Sequence, residues 1–257
     1  MEVFLLKLVL TPVLIGAASV AGRRWGGEVG GWLVGIPFTS GPIAFFLSLD
    51  PGPRFASDAA VGILGGTACQ IAFALAYAWM ALRAGWTVCL AAATVAFLAI
   101  TVVLDLLRLD LAVTFTIALG SLVIALVLMP RRRVARPAAG PPPWWDIPTR
   151  MVVATVFVIA LTSAAPALGP HLAGLLSPFP LYASVLAVFA HRLQGGDAAV
   201  GVLRGLVLGL FGFVAFFAAV ALLLVPDGIA IAFSVALVVA LAVQAASLAT
   251  GRILKIA

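Results

Sequence analysis

The sequence predicts an all-α protein that crosses a membrane about nine times and contains two inverted-topology repeats. Three observations support this fold class. First, 64% of the 257 residues are hydrophobic and 9% are charged, whereas a soluble domain has about 25% charged residues. Second, long apolar runs alternate with short polar loops. Third, a nine-residue stretch occurs twice, once in each half of the chain.

Each predicted span is an apolar run long enough to cross a hydrocarbon core of about 30 Å as a helix. Spans 1–5 belong to a first membrane unit, residues 1–129, in which span 5 joins the halves. Residues 130–149 form a basic, proline-rich cytoplasmic linker, and residues 150–257 form the second, inverted unit. The nine runs cover residues 4–21, 31–49, 58–82, 86–104, 111–129, 150–168, 172–190, 198–225 and 228–250.

The cations between these spans predict the orientation. With nine spans, the odd-numbered loops and the C-terminus hold eleven Lys and Arg residues, and the other loops and the N-terminus hold three. Cytoplasmic loops carry an excess of Lys and Arg. We therefore expect a multi-pass inner (plasma) membrane protein with its N-terminus outside and its C-terminus in the cytoplasm.

The duplicated stretch runs from Asp58 to Gly66 and again from Asp197 to Gly205, and seven of its nine positions are identical. A proline-broken apolar segment precedes each copy. Because an odd number of spans separates equivalent points, the second unit is predicted to be inverted relative to the first. Interrupted hydrophobic segments at corresponding positions of two halves indicate a transporter binding site.

The two broken segments, in spans 2 and 7, supply most of the candidate binding residues. A mid-helix proline removes a backbone hydrogen bond, and such breaks persist in a membrane where protein groups or a water-filled cavity satisfy the freed backbone. The alternative is a pair of kinked packing helices whose hydroxyl groups bond to their own backbone. The candidates are Pro37, Phe38, Thr39, Ser40, Gly41 and Pro42 in span 2, and Ser177, Pro178, Phe179, Pro180 and Tyr182 in span 7.

Two polar residues inside other spans complete the candidate substrate-binding set. Arg204 lies about 10 Å inside span 8, where a charge is costly and indicates function. It either binds an anionic group or extends to the cytoplasmic interface, near Asp197. Gln70 in span 3 either contacts ligand or bonds to a neighbouring helix. Glycines in spans 3 and 8 are expected to pack these spans against the broken ones.

Several function classes are not expected. The net charge of +6 does not indicate nucleic acid, because the cations lie at span ends rather than on one face. Two cysteines and two histidines provide no metal-ligand spacing, and no cofactor is expected. The sequence contains no P-loop, HExxH motif or Ser-His-Asp arrangement that would indicate an enzyme.

The sequence therefore predicts a transporter or exporter of a small anionic or zwitterionic solute, acting by alternating access between spans 2 and 7. A lipid or polyprenyl-phosphate translocase is one alternative, and a membrane scaffold or assembly subunit is another. The expected partners are membrane lipids and the small-molecule or lipid substrate, and a homo-oligomer is an open possibility.

Overall fold

A computed structural model of the chain describes residues 36–130 and 145–253, together with residues 6, 8–14, 16 and 20. The described residues form helices and contain no strand. The basic run and the Pro141–Pro143 run of the predicted linker lie outside the described residues. The helices are α1 (Ser40–Leu49), α2 (Pro53–Met80), α3 (Trp86–Leu107), α4 (Leu111–Leu128), α5 (Asp146–Leu168), α6 (Pro170–Leu176), α7 (Leu181–Gln194) and α8 (Gly196–Ile253).

Six helical segments among the described residues are long and apolar enough to cross a membrane. They are Pro53–Met80, Trp86–Leu107, Leu111–Leu128, Ile147–Leu168, Pro170–Gln194 and Gly196–Ser247. The predicted all-helical fold with several helices that could cross a membrane is confirmed. The predicted nine spans and inverted repeats are not confirmed.

Helix α8 contains a sharp turn. Its 58 residues would measure about 87 Å as one straight helix, almost three times the hydrocarbon core. Gly228 interrupts it with φ 80°, a conformation that residues with a Cβ rarely adopt. The backbone at Gly212 lies against Ala240 and Gln244. The arm after Gly228 therefore folds back along the arm before it.

Helix α2 is the central helix, and it packs antiparallel to the first arm of α8. Near its start, the Ser57 hydroxyl donates to the Ala221 carbonyl oxygen (3.0 Å). At its other end, the backbone of Ala81 meets Gly196, the first residue of α8. Together these contacts define two ends of the bundle, which we name the Asp58 end and the Arg83 end.

Further contacts assign other helix termini to these two ends. At the Arg83 end, the Trp79 indole N–H donates to the Leu128 carbonyl at the end of α4 (3.1 Å). There too, the Arg192 guanidinium lies 5.5 Å from the centre of the Trp86 ring. Helices α4 and α7 therefore end on the side where α3 begins.

Local chemistry explains several helix boundaries. Pro53 occupies the first turn of α2, where its missing N–H would be unsatisfied in any residue. Asp110 caps α4 by accepting a hydrogen bond from the Val113 N–H (3.0 Å), as N-cap carboxylates commonly do. Helix α3 ends where Arg108 adopts a left-handed conformation (φ 43°).

Candidate functional site

The break in span 7 separates α6 from α7. Helix α6 ends at Leu176 and α7 begins at Leu181. Pro178 and Pro180, both in the break, lack the N–H groups that a continuous helix would direct at carbonyls four residues earlier. This interruption lies where the proline positions predicted it.

The structure describes span 2 from residue 36 onward, and its proline-containing segment becomes helical earlier than the sequence suggested. Residues 36–39 are non-helical and α1 begins at Ser40. Gly41 and Pro42 therefore lie in the first turn of α1, where a proline is tolerated because its N–H is not needed. In the same way, Tyr182 lies in the first turn of α7 rather than in the break.

The two breaks meet inside the protein. The Ser40 hydroxyl donates a hydrogen bond to the backbone carbonyl of Ser177, at 3.1 Å. Ser40 is 1% exposed and Ser177 is fully buried. We name this contact, with Pro178 beside it, the crossing.

Two short helices leave the crossing in opposite directions. Helix α1 ends three residues before Gly52, the N-cap of α2, and so runs to the Asp58 end. Helix α7 ends immediately before α8 begins and so runs to the Arg83 end. The crossing therefore lies between the two ends of the bundle, at the first residue of α1 and four residues before the start of α7.

Glycines on α2 allow the second break to approach its backbone. A Cβ at Gly62 would collide with the His171 carbonyl oxygen, and one at Gly66 with the Pro178 ring. Close approach through small residues is typical of membrane helix pairs. The predicted packing of span 3 against span 7 is therefore present.

Gln70 lies on the same face of α2 as Gly66, one turn further along. Beyond it on this face, the Phe73 and Phe179 rings are 6.3 Å apart. Gln70 is therefore buried between two points of contact with the break. This predicted residue therefore lies on the face of α2 that the second break contacts.

Phe179 belongs to an aromatic cluster. Its ring centre lies 5.2 Å from that of Phe97 and 6.4 Å from that of Phe157, in addition to the Phe73 contact. Edge-to-face and tilted aromatic pairs stabilise packing. Phe179 therefore anchors the break between α2, α3 and α5.

The span 2 residues face a separate cavity. A cavity of about 210 Å³ lies between the first break, α1 and the two arms of α8. Its lining is apolar apart from Gln244, and it includes Pro37, Phe38, Gly41 and Pro42. Thr39 and Tyr182 instead line a smaller cavity of about 30 Å³ with Thr149 of α5. The predicted residues of the two breaks thus lie at the crossing, in the larger cavity and in the smaller cavity.

Arg204 and Pro180 complete the predicted set. Arg204 is half-buried in the third turn of α8, near the Arg83 end. Pro180 is buried and precedes the first residue of α7.

A polar pair at the Asp58 end was not predicted from the sequence. His171 Nδ1 lies 3.1 Å from Asp105 Oδ1, joining α6 to the end of α3. The two residues are 66 positions apart, so no local pattern indicates the pair. Thr67 was not among the predicted binding residues, although it lies three residues before Gln70, a spacing that places two side chains on one face of a helix.

The crossing offers neutral oxygen atoms and aromatic surface. Across the part of the chain that the structure describes, no three His, Cys, Asp or Glu side chains lie close enough together to hold a metal ion. Comparisons with protein families, with curated proteins and with solved structures find no match to this chain.

Proposed function

We propose that this protein is a transporter or exporter that moves a small anionic or zwitterionic solute by alternating access at the crossing. The observation that carries the proposal is the buried hydrogen bond between Ser40 and Ser177. It joins two helix breaks that lie far apart in the sequence. Broken helices that meet between the two membrane surfaces are where transporters bind their substrates.

The architecture around the crossing supports an inverted repeat. The duplicated stretch implies a repeat spacing of 139 residues, from Asp58 to Asp197. Residue 57 corresponds to residue 196 in the second unit, and residue 221 corresponds to residue 82 in the first. Since Ser57 contacts Ala221, an inverted repeat should also bring residues 196 and 82 together. Gly196 contacts Ala81, one residue from that expectation.

The proposed movement is a rocking of one repeat against the other around the crossing. The helical hydrogen bonds are already interrupted at each break. A half-helix can therefore change direction there without breaking further ones. In the conformation described, the crossing is shielded, because Ser40 and Ser177 are both buried. Opening toward one side at a time would require the Ser40–Ser177 contact to separate.

The solute class follows from charge. Arg204 is a cation inside a span, and the half-helices α1 and α7 direct their N-termini toward the crossing. Helix N-termini and arginine both favour negative charge. We further propose the inner membrane as the location, with the N-terminus outside.

Uptake into proteoliposomes tests the proposal, with a panel of radiolabelled organic anions and amino acids as probes. For a transported probe, we expect Pro37→Ala, Pro178→Ala and Arg204→Ala each to lower the rate about tenfold or more. Pro166→Ala is the matched control, because Pro166 lies inside α5 and outside both breaks. If all three variants fold and transport at the wild-type rate, the site is elsewhere.

A lipid translocase is the second candidate, and the apolar cavity of about 210 Å³ beside the first break favours it. Such a lining suits an acyl or prenyl chain better than a polar solute. Fluorescent-phospholipid scrambling in proteoliposomes distinguishes the two functions. Movement of neither solute nor lipid would favour a scaffold or assembly subunit.

A further inference from the structure

Three buried oxygen atoms near the crossing have no hydrogen-bond partner among the described residues. They are Thr67 Oγ1, Gln70 Oε1 and Ser177 Oγ. Thr67 and Ser177 are fully buried and Gln70 is 6% exposed. Most buried polar atoms in proteins have a partner, so each exception requires an explanation.

Several other buried hydroxyl groups of this chain are satisfied locally, whereas Thr11 Oγ1 near the N-terminus is not. Thr101 donates to the Phe97 carbonyl (2.9 Å), and Ser184 donates to the Leu181 carbonyl (2.9 Å). This bond to the preceding helical turn is the usual solution for a hydroxyl in a membrane helix. Thr67 lies in the middle of α2 and does not make it. Its hydroxyl therefore lacks the local partner that hydroxyl groups in helices usually have.

The three oxygens come from one neighbourhood. Gly66, beside Thr67, contacts Pro178, which follows Ser177. Gln70 lies one turn beyond Gly66 on the same face of α2. Thr67 follows Gly66 and lies three residues before Gln70, so both residues occupy the part of α2 that the second break touches.

A backbone carbonyl oxygen, that of Leu175, also lies at this part of α2. In a continuous helix the Phe179 N–H would bond to the Leu175 carbonyl, but it donates to the Leu176 carbonyl instead (3.0 Å). The Leu175 oxygen lies 3.0 Å from the position that a Cβ on Gly66 would occupy. The end of α6 thus presents a carbonyl to the same face of α2, and the C-terminus of a helix carries partial negative charge.

We propose that these oxygens form a sodium-ion site, with Thr67, Gln70, Ser177 and the Leu175 carbonyl as its ligands. Neutral side-chain oxygens and carbonyls of broken helices are typical ligands of Na⁺ in transporters. Calcium and magnesium sites use carboxylates, and none of these ligands is one. The role of Na⁺ as a coupling ion rests on the proposed transport function, in which its charge would offset that of an anionic solute.

Binding of ²²Na⁺ to the purified full-length protein in detergent tests the site. Choline chloride keeps the ionic strength constant. We expect saturable binding of one Na⁺ per chain. Gln70→Leu and Ser177→Ala should each weaken the affinity about tenfold, because each removes one ligand from a buried ion. Ser177→Ala keeps the carbonyl that accepts the Ser40 hydrogen bond.

Matched controls make the same substitutions at buried residues elsewhere. Gln244→Leu changes the buried glutamine in the second arm of α8, and Ser184→Ala removes a hydroxyl that bonds within α7. Both should bind Na⁺ as the wild type does. Absence of saturable binding in the wild type would overturn the proposal and leave ordered water as the partner of these oxygens. Unchanged affinity in both site variants would also overturn it.

The transport assay separates this inference from the proposed function. Sodium binding without flux of any probe would count against transport and leave the ion site standing. Flux that is equal in sodium and choline, in a protein that binds no Na⁺, would overturn the ion site and leave transport standing.

Discussion

Single residues at the crossing have distinct structural roles. Ser40 connects the two breaks through its hydroxyl, and Phe179 fixes the second break within an aromatic cluster. Gly62 and Gly66 contribute by the absence of a side chain, since a Cβ at either position would collide with the segment beside it. The polar and apolar members of the candidate site therefore depend on small residues on α2 for their positions.

Gly62→Ala should destabilise the protein. The added Cβ would meet the backbone of His171 and Gly174, which cannot move as a flexible side chain can. We expect the free energy of unfolding to fall by about 1–3 kcal/mol, as in other overpacked cores. Thermal unfolding in detergent measures the change.

Gly120→Ala is the control for this substitution. Gly120 lies within α4, and a Cβ there would meet no described atom within 4 Å beyond the adjoining backbone of its own helix. Alanine at this position should be neutral or stabilising by up to about 1 kcal/mol, because glycine weakens a helix interior. Equal loss of stability in both variants would contradict the close packing of α2 against α6.

At the scale of helices, the antiparallel pair of α2 and α8 forms the framework, and the short helices α1 and α7 attach to its opposite ends. Helix α2 contacts α6 near its start and α7 near its end. Gly62 contacts His171 of α6, and the Tyr77 hydroxyl lies 3.4 Å from His191 Nδ1 of α7. Helix α2 is thus parallel to α7 and antiparallel to α8. The breaks were predictable from proline positions, but the packing partners of each half-helix were not.

Cross-linking tests the antiparallel pair. In a Cys69→Ala, Cys89→Ala background, a short bis-maleimide should link Ser57→Cys to Ala221→Cys, because the native side chain reaches the Ala221 carbonyl. The control pair is Ser57→Cys with Asp197→Cys, which lies about 36 Å away along α8. Mass spectrometry identifies linked peptides. Linkage of the control pair in place of the first would show that the helices are parallel.

At the scale of the whole molecule, charged residues collect at the two ends of the bundle. Among the described residues, the Arg83 end carries Arg83, Arg192 and Arg204 together with Asp197. The other end carries two cations, Arg54 and Arg108, and most of the acids, namely Asp50, Asp58, Asp105, Asp110 and Asp227. Cations concentrate on the cytoplasmic side of membrane proteins. The expected orientation therefore has the Arg83 end in the cytoplasm and the Asp58 end outside.

Labelling of single cysteines in intact cells measures this orientation. Arg54 and Arg83 are both exposed and lie at opposite ends of α2. In the same cysteine-free background, a membrane-impermeant maleimide should label the Arg54→Cys protein before lysis and the Arg83→Cys protein only after it. The reverse pattern would invert the topology, and equal labelling before lysis would contradict a membrane between the two positions.

The sequence by itself determined the all-helical class with long apolar helices, and the approximate location of the non-helical segments at residues 36–39 and 177–180. Composition is sufficient for the first, because a chain with 9% charged residues cannot cover a soluble surface. Proline is sufficient for the second, because it removes a helical hydrogen bond wherever it occurs. Only the tertiary structure decided that Ser40 contacts Ser177 and that Phe179 packs among other aromatic rings. It also decided that Thr67 and Gln70 each have a buried oxygen without a hydrogen-bond partner. These relations depend on how helices pack across more than a hundred residues of chain, and local periodicity does not encode that packing.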